Sequence, residues 1–284
     1  MTDTVDDLLQ DQGYAPVRER VAVAGGSICQ ATRLVLDDGQ VLFCKRHPRP
    51  PTHFFAAEAA GLSALRAADA IHIPDVVAVS DQILVLEWLS GSPAADYWSR
   101  FGEQLAQLHQ HTAPAFGFDR DNYCGLTPQP NPRIEDGFQF FAEARIGHQA
   151  RLARDAGLLE PADRRQLDSI AERLCQWLPE QPASLIHGDL WSGNAHCGPD
   201  GEPVLVDPAA HYGWAEAELA MTTLFGGFPR AFYEAYQAHS GCQPDWAQRA
   251  DLYSLYHLLN HLNLFGGGYL SGVRAVLNRY AYKR

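Results

Sequence analysis

The sequence predicts a bilobal α+β protein, with a small antiparallel β-rich lobe over residues 1–89 and a mainly helical lobe over residues 90–284. Short β-favouring runs separated by glycine turns fill most of the first ninety residues. Beyond Pro93 the apolar residues recur at helical spacing instead. With 284 residues, of which 46% are hydrophobic, the chain has enough apolar material for a packed core.

The predicted strands of the first lobe form an antiparallel meander. They are the β-favouring runs at residues 21–24, 32–36, 41–45 and 83–88. Gly25-Gly26 and the turn Asp37-Asp38-Gly39 punctuate the first three of them. An alanine-rich stretch at residues 54–67 has helical composition.

The second lobe is predicted to contain six helices, several of which begin at polar, proline or glycine residues. Their bounds are residues 97–111, 138–156, 161–178, 215–225, 228–239 and 246–265. Residues 185–207 interrupt them with two short apolar runs that flank a loop containing Gly188, Gly193 and Asn194. This segment carries the most informative residues of the chain.

Composition argues against nucleic acid and membrane partners. The chain has 34 acidic residues against 22 lysines and arginines, a formal charge of −12, so a broad contact with phosphate backbones is not expected. No run approaches the roughly 18 apolar residues that span a bilayer, and the first ten residues are acidic, unlike a secretory signal. We therefore expect a cytoplasmic protein. The six scattered cysteines form no zinc-like pair and predict reduced thiols.

The motif HGDLWSGN at residues 187–194 places Asp189 five positions before Asn194, and a later β-run, VLVD, ends at Asp207. Phosphoryl transfer needs such a set, because one carboxylate meets the incoming hydroxyl while an amide oxygen and a second carboxylate hold Mg²⁺ against the nucleotide phosphates. The spacing is that of a kinase catalytic loop. Each residue alone would also fit a turn.

A kinase needs four further features upstream, and all four are present. Lys45 ends a β-run and Glu58 lies in the following helix, so we expect the two to pair and to orient the α- and β-phosphates of ATP. The turn Gly25-Gly26-Ser27 offers backbone amides to phosphate. Glu87-Trp88-Leu89 follows an apolar strand, where the hinge between the lobes would hold adenine. Each feature alone also fits an ordinary structural role.

Longer motifs carry a resemblance to a known family. HGDLWSGN followed by LVDPA, FGGFP at residues 225–229 and NLFGGGY at residues 263–269 resemble the fructosamine kinase and ketosamine-3-kinase family. HGDxxxxN alone would indicate only the broader phosphotransferase superfamily. The resemblance covers nearly the whole chain and implies a protein-kinase-like, aminoglycoside-phosphotransferase-like fold.

The resemblance implies ATP-dependent phosphorylation of the sugar 3-hydroxyl of ketoamines, which are adducts of sugars with amines. The unstable 3-phosphate would release the amine, which amounts to deglycation. ATP and Mg²⁺ are the implied cofactors. The acceptor stays open between a small-molecule ketoamine and a glycated protein lysine, as do the preferred sugar and the oligomeric state.

The family's functional residues carry over by position. Asp189 matches the catalytic base, Asn194 and Asp207 the Mg²⁺ ligands, Lys45 and Glu58 the nucleotide-orienting pair, Gly25, Gly26 and Ser27 the phosphate turn, and Glu87, Trp88 and Leu89 the hinge. His187 is expected to brace the catalytic loop. Trp191 is expected to form a wall of the sugar pocket, because an aromatic face suits the apolar side of a sugar, although a buried packing role fits it equally.

The chain departs from the family pattern in two regions. Many members have a cysteine where Ser27 stands, whereas here the cysteine is Cys29, which puts redox control of that turn in doubt. Glu218 replaces the usual aspartate before LAM and is expected to hydrogen-bond the catalytic-loop backbone. Because the altered stretch WAEAE at residues 214–218 is expected near substrate, Glu216 is a candidate substrate contact.

Two other functions stay open. One is a small-molecule kinase of the same fold that acts on an aminoglycoside or an amino alcohol. The other is a nucleotide-binding pseudokinase, against which the retention of Asp189 argues because a binding module needs no base. His257 and His261 lie four positions apart on a predicted helix, but the glutamate of a zinc HExxH motif is absent, so we interpret them as core or pocket-lining residues.

Overall fold

The computed structural model describes residues 4–24 and 28–281. Its amino-terminal part contains a five-stranded antiparallel sheet with the strand order β1-β2-β3-β5-β4. The strands are β1 (Val17–Val23), β2 (Gln30–Leu36), β3 (Val41–Arg46), β4 (Val76–Val79) and β5 (Ile83–Glu87). The first three follow one another as the predicted meander, and β5 then pairs with β3.

Two helices cover opposite faces of this sheet. They are α1 (Val5–Asp11) and α2 (Phe54–Ala67). Because successive side chains of a strand point to opposite faces, β5 sends Val85 toward the apolar cluster of α1 and Leu84 toward that of α2. Both side chains are fully buried, so the sheet has an apolar layer on each face.

The carboxy-terminal part is mainly helical. Its helices are α3 (Tyr97–His109), α4 (Gly137–Phe140), α5 (His148–Asp155), α6 (Pro161–Ala171), α7 (Ala215–Leu224), α8 (Arg230–His239), α9 (Ala250–Phe265) and α10 (Leu270–Ala281). A π-helical segment, Phe141–Gly147, joins α4 to α5 as one continuous helix. Most residues of α9 are buried on every side, so it is the central helix of this part.

Short strands hold the loops of the helical part. They are β6 (Thr112–Ala113), β7 (Asn122–Cys124), β8 (Thr127–Gln129), β9 (Ala183–Ile186), β10 (Ala195–Cys197), β11 (Pro203–Leu205) and β12 (His211–Gly213). Strand β9 lies between β12 and β6, and β10 pairs with β11 as a hairpin. The 187–194 motif therefore runs from the end of β9 to the start of β10, and Asp207 follows β11.

Most of the predicted elements are present. Helix α2 has the predicted bounds, and the other predicted helices and strands overlap the observed ones. Elements that the sequence analysis missed are α1, β4, α10 and most of the short strands of the helical part. The division of the chain at residue 89 stays a prediction, with β5 ending at Glu87 and α3 beginning at Tyr97. None of the described helices is long and apolar enough to cross a membrane.

Candidate active site

A cleft of about 560 Å³ lies between the five-stranded sheet and the helical part. The residues that the sequence singled out and that line this cleft are Lys45, Glu58, Glu87, Trp88, Leu89, Asp189, Trp191, Asn194 and Asp207. The predicted phosphate turn, Gly25 to Ser27, lies outside the described residues, whereas Ala24 before it and Ile28 after it line the cleft. The fold therefore brings together groups that lie up to 162 residues apart in the chain.

Lys45 is held between two carboxylates at one end of the cleft. From the end of β3 its Nζ donates to Glu58 Oε1 at 2.7 Å and to Asp207 Oδ1 at 2.8 Å. The side chains of Lys45 and Glu58 keep only 9% and 10% of their exposure, so this pair is largely desolvated. Burial alone would lower the pKa of Lys45, but Asp207 and Glu58 raise it above its usual range and keep the ammonium charged. The expected contact between Lys45 and Glu58 is present.

Buried groups fix the backbone at the start of the 187–194 loop. Gly188 has a φ of +83°, and a Cβ there would lie 2.3 Å from the carbonyl oxygen of Ala209, so only glycine fits this turn. Glu218 on α7 accepts hydrogen bonds from the amides of His187 at 2.9 Å and Gly188 at 2.7 Å. The expected contact of Glu218 with the loop backbone is therefore present.

The buried ring of His187 ties this loop to the segment after β11. Its Nε2 lies 2.8 Å from the carbonyl oxygen of Val206, and its Nδ1 accepts the amide of Asp189 at 3.3 Å. Burial lowers the pKa of His187, so the ring is neutral, with Nε2 as the donor and Nδ1 as the acceptor. This arrangement places Asp189 and Asp207 in a fixed relation.

Asp189 extends from the loop into the cleft. Its Oδ1 lies 3.8 Å from Nδ1 of His257, whose own pKa burial lowers to about 3, so the facing ring is neutral. Burial raises the pKa of Asp189 to about 7, and the carboxylates of Asp207 and Glu218 add to the shift. A carboxylate with a pKa near neutrality is suited to accept a proton from a hydroxyl.

Asn194 and Asp207 present oxygen atoms that fit a magnesium ion. Asn194 donates its amide nitrogen to the carbonyl oxygen of Asp189 at 2.8 Å, which leaves Asn194 Oδ1 for a cation. Burial would raise the pKa of Asp207, but Lys45 holds it below its usual range, so the carboxylate is ionised. Amide and carboxylate oxygens are the donors that Mg²⁺ prefers. Asp207 also has a φ of +57°, an uncommon conformation of a kind that concentrates at functional sites.

Trp191 forms an aromatic wall of the cleft. Its side chain is 39% exposed, and its ring centroid lies 6.4 Å from that of Phe225. The indole lies over the Cα atom of Gly193, where a Cβ would be 2.3 Å from the ring. The exposure excludes the buried packing role that the sequence left open for Trp191.

The sheet side of the cleft is apolar. Phe43 and Leu86 line it, and the ring of Trp88 lies 6.3 Å from that of Phe43. Because β5 ends at Glu87, the backbone of Trp88 and Leu89 lies beyond the sheet. An apolar slot beside peptide groups that no strand uses suits a planar heteroaromatic base.

Glu216 does not line the cleft, which corrects its interpretation as a substrate contact. Its carboxylate accepts hydrogen bonds from Arg249 Nε at 2.8 Å and Nη2 at 2.7 Å, and from the hydroxyl of Tyr253 at 3.1 Å. Trp214 in the same WAEAE stretch is also buried, at 3% exposure. These residues hold α7 against α9 and leave no group of Glu216 for a ligand.

Sequence reasoning missed Cys124 and Asn260, and it interpreted His257 only as a core or pocket-lining residue. Cys124 from β7 and Asn260 from α9 both line the cleft, and Asn260 Nδ2 lies 3.2 Å from Cys124 Sγ. The available signal was the spacing of His257 and His261, which puts both rings on one face of α9. One ring approaches Asp189, and the other lines the cleft.

Comparison with known proteins identifies this arrangement. The family model of fructosamine kinases matches residues 1–283. The chain belongs to the fructosamine kinase family. It is 44% identical over 269 residues to a probable ketoamine kinase of Synechocystis sp., covering 93% of this chain and 90% of that protein. It is 32% identical over 289 residues to the chloroplastic protein-ribulosamine 3-kinase of Arabidopsis thaliana, covering 98% of this chain and 87% of that protein.

Solved structures agree with this family assignment. A structure described as a fructosamine-3-kinase from Thermobifida fusca has a TM-score of 0.89 at 33% identity and covers 99% of both chains. An aminoglycoside phosphotransferase complexed with gentamicin, at 13% identity and a TM-score of 0.64, shares the fold alone. The predicted bilobal, protein-kinase-like α+β fold is confirmed, and so is the predicted enzyme class, an ATP-dependent phosphotransferase.

Proposed function

We propose that this protein phosphorylates the 3-hydroxyl of ketoamines with ATP and thereby starts their deglycation. The observation that carries the proposal is the placement of Asp189 in the cleft, beside two candidate magnesium ligands and with a pKa that burial raises to about 7. Relatives named ketoamine kinase and protein-ribulosamine 3-kinase support the choice of substrate class.

The nucleotide occupies the sheet side of the cleft in this proposal. Lys45 orients the α- and β-phosphates, and the backbone of residues 87–89 holds the adenine edge. The turn Gly25 to Ser27 contributes backbone amides to the phosphates. Lys45 and Glu58 are already 2.7 Å apart, so nucleotide binding does not have to assemble this pair.

Asn194 and Asp207 would hold Mg²⁺ between them and the phosphates. A bound Mg²⁺ neutralises the charge that the phosphoryl group carries during transfer. Lys45 keeps Asp207 ionised, which is the state that binds a cation. Asn194 is held by its hydrogen bond to the carbonyl oxygen of Asp189. This contact positions a candidate magnesium ligand and the candidate base relative to each other.

Asp189 orients the 3-hydroxyl of the ketoamine and takes its proton as the phosphoryl group is transferred. Glu218 and His187 fix the loop that carries it, through the hydrogen bonds described above. This rigidity contributes to catalysis because transfer depends mainly on alignment and charge neutralisation. Trp191 presents its exposed face to the apolar side of the sugar.

The product in this proposal is a ketoamine 3-phosphate. This ester is unstable and releases the amine, so one phosphorylation step removes the sugar from the amine. The acceptor is a ketoamine on a free amino acid or on a protein lysine, and both forms present the same sugar 3-hydroxyl to Asp189.

ADP release by the purified protein with Mg²⁺ and ATP tests this function. The acceptor panel is fructosyl-lysine, ribulosyl-lysine, a glycated protein, an aminoglycoside, choline and no acceptor. We expect turnover with the ketoamines alone. Asp189→Asn should lower kcat by about 100- to 10,000-fold, the range that a positioned general base contributes, while nucleotide still binds. Asp200→Asn, in an exposed turn, is the matched control and should keep full activity.

Two results would contradict parts of the proposal. Turnover with the aminoglycoside or choline alone would keep the site residues but replace the substrate class. Near-normal turnover of Asp189→Asn would show that Asp189 is not the base.

A further inference from the structure

Three side chains that can ligate a metal converge around Asp189, at the end of the cleft where the proposed reaction places the sugar; we call this the acceptor end. They are Cys124 from β7, Asp189 from the 187–194 loop and His257 from α9. One ligand atom from each, namely Sγ, a carboxylate oxygen and a ring nitrogen, lies within 4.8 Å of the other two. Asn194 and Asp207, the candidate magnesium ligands, are not part of this cluster.

The ring of His257 supplies a second, independent observation. Its Nδ1 is buried and makes no hydrogen bond within the described part of the chain, although it lies 3.8 Å from Asp189 Oδ1. The residue keeps only 5% of its exposure. Leaving a buried polar atom without a partner is costly, and such an atom calls for a ligand or an ion that satisfies it.

We propose that Cys124, Asp189 and His257 form a binding site for Zn²⁺. Sulfur, imidazole nitrogen and carboxylate oxygen are the donors that zinc takes in proteins. Zinc bonds of about 2.3 Å to sulfur and about 2.0–2.2 Å to nitrogen and oxygen place tetrahedral ligand atoms roughly 3.4–3.6 Å apart. The 3.8 Å between Asp189 Oδ1 and His257 Nδ1 is already close to this separation, and Cys124 Sγ lies within 4.8 Å of both groups.

The charges of the cluster also suit a divalent cation. On binding, the thiol of Cys124 forms the sulfur–zinc bond and releases its proton to solvent, because the thiolate is the ligand. Together with ionised Asp189 and the neutral ring of His257, two negative charges then balance the two positive charges of the ion. The buried complex is neutral overall, which avoids the cost of burying an unpaired charge.

The donor set selects zinc over magnesium. Magnesium prefers oxygen ligands in octahedral geometry, which a thiolate and an imidazole do not offer. Asn260 Nδ2, 3.2 Å from Cys124 Sγ, is placed to orient the sulfur. Asp189 and Cys124 both line the cleft, so the ion can reach the site from solvent. Three protein ligands leave the fourth tetrahedral position of zinc to water.

A zinc ion at this site would occupy the carboxylate that the proposed reaction needs. Zinc would therefore inhibit the enzyme without competing with magnesium for Asn194 and Asp207. This consequence rests on the proposed function of Asp189, whereas binding of the metal does not. The test therefore measures bound metal.

The metal-free, full-length protein is equilibrated with Zn²⁺ alone, without nucleotide or acceptor, and bound zinc is counted by elemental mass spectrometry. We expect about one zinc per chain, as for a single site with three protein ligands. Cys124→Ser and His257→Asn should each weaken binding by at least about 100-fold, because even the loss of a group that only orients a ligand costs about 10- to 100-fold. Cys175→Ser and His239→Asn, which alter an exposed cysteine and a half-exposed histidine, should bind zinc as the wild type does.

Cobalt provides a readout that does not depend on how well the variants fold. Wild-type protein with Co²⁺ should show a thiolate-to-cobalt charge-transfer band in the near ultraviolet, and Cys175→Ser should keep it. Absence of this band in the wild type, absence of stoichiometric zinc, or equal zinc binding by wild type, Cys124→Ser and His257→Asn would each overturn the proposal. Stoichiometric zinc that depends on both ligands, in a protein that never turns over a ketoamine, would support the site and reject the proposed function.

Discussion

The two ends of the cleft surround their acidic groups with opposite kinds of partner. At the nucleotide end, Lys45 lies 2.7 Å from Glu58 and 2.8 Å from Asp207. At the acceptor end, Asp189 faces the neutral ring of His257 at 3.8 Å, and the thiol of Cys124 lies beside them. One end contains balanced charges, and the other contains an uncharged ring, an uncharged thiol and a carboxyl group that titrates near pH 7.

This difference separates the roles of two aspartates in one cleft. Lys45 holds the pKa of Asp207 below its usual range against the effect of burial, whereas burial raises the pKa of Asp189 to about 7. An ionised carboxylate is suited to bind a cation, and one that titrates near neutrality is suited to exchange a proton. The partner of each aspartate, and not the residue type, decides what it can do.

Removing Lys45 should abolish the charge difference between the two ends, because the cation that balances Glu58 and Asp207 is lost. Lys45→Ala leaves Glu58 and Asp207 close together and unpaired, and the loss of one partner from a buried pair costs about 3–5 kcal/mol. Because the side chain of Asp207 keeps 48% of its exposure, we expect the lower end of this range, about 3 kcal/mol of unfolding free energy. Urea denaturation measures this loss, and turnover should fall as well because the phosphates lose their orienting charge.

An exposed ion pair provides the control for this prediction. Arg230 and Glu234 pair across one turn of α8 with side chains that keep 89% and 60% of their exposure. Arg230→Ala should change the unfolding free energy little, since exposed pairs contribute little. An equally small change for Lys45→Ala would show that the buried contact does not stabilise the fold.

Neutralising Asp189 should change how the stability of the protein depends on pH. The folded pKa of about 7 exceeds the usual 3.8, so the folded protein binds a proton that the unfolded chain does not bind between these values. The stability that this proton contributes is complete below about pH 4 and is lost as the pH rises toward 7. Asp189→Asn does not undergo this loss.

The measurement is the difference in unfolding free energy between Asp189→Asn and wild type, in metal-free buffer. Between about pH 5 and about pH 8 the variant should gain on the order of 2 kcal/mol of unfolding free energy relative to the wild type. The side chain of Asp189 keeps 21% of its exposure, so solvent screening reduces the shift somewhat. Asp200→Asn should show no such movement, and a constant difference for Asp189→Asn would mean that Asp189 titrates normally.

The fold was predictable where the signal is local. The alanine-rich composition of α2 gave its bounds, and glycine turns separated the strands of the meander. Helix α1 was missed because seven residues are too few to show helical periodicity, and its stability comes from Leu9 packing against the sheet. Helix α10 was missed because Gly266, Gly267 and Gly268 precede it and Gly272 lies within it, and glycine is a poor helix former.

The candidate site was predictable to a similar extent. Asp189 and Asn194 lie in one motif, so their spacing was visible in the sequence. Cys124 and His257 meet only because β7 packs near α9, which no local pattern records. Glu216 was wrongly interpreted because its partner Arg249 lies 33 residues away, and an acidic residue on a helix looks the same whether it pairs internally or faces a ligand.

Two tryptophans line the cleft from different segments, Trp88 directly after β5 and Trp191 in the 187–194 loop, and their substitutions should have the smallest effects. Trp191→Leu should raise KM for the ketoamine about fivefold, which corresponds to about 1 kcal/mol for a lost aromatic contact, and should leave KM for ATP nearly unchanged. Trp88→Leu should have the reverse effect.

Trp191→Phe keeps an aromatic face and should recover most of the affinity for the ketoamine, which a simple loss of side-chain volume would not explain. Steady-state kinetics with each substrate varied in turn measures both constants. Because the indole of Trp191 also lies over Gly193, an equal rise of both KM values in Trp191→Leu would show that it supports the loop and does not bind the sugar.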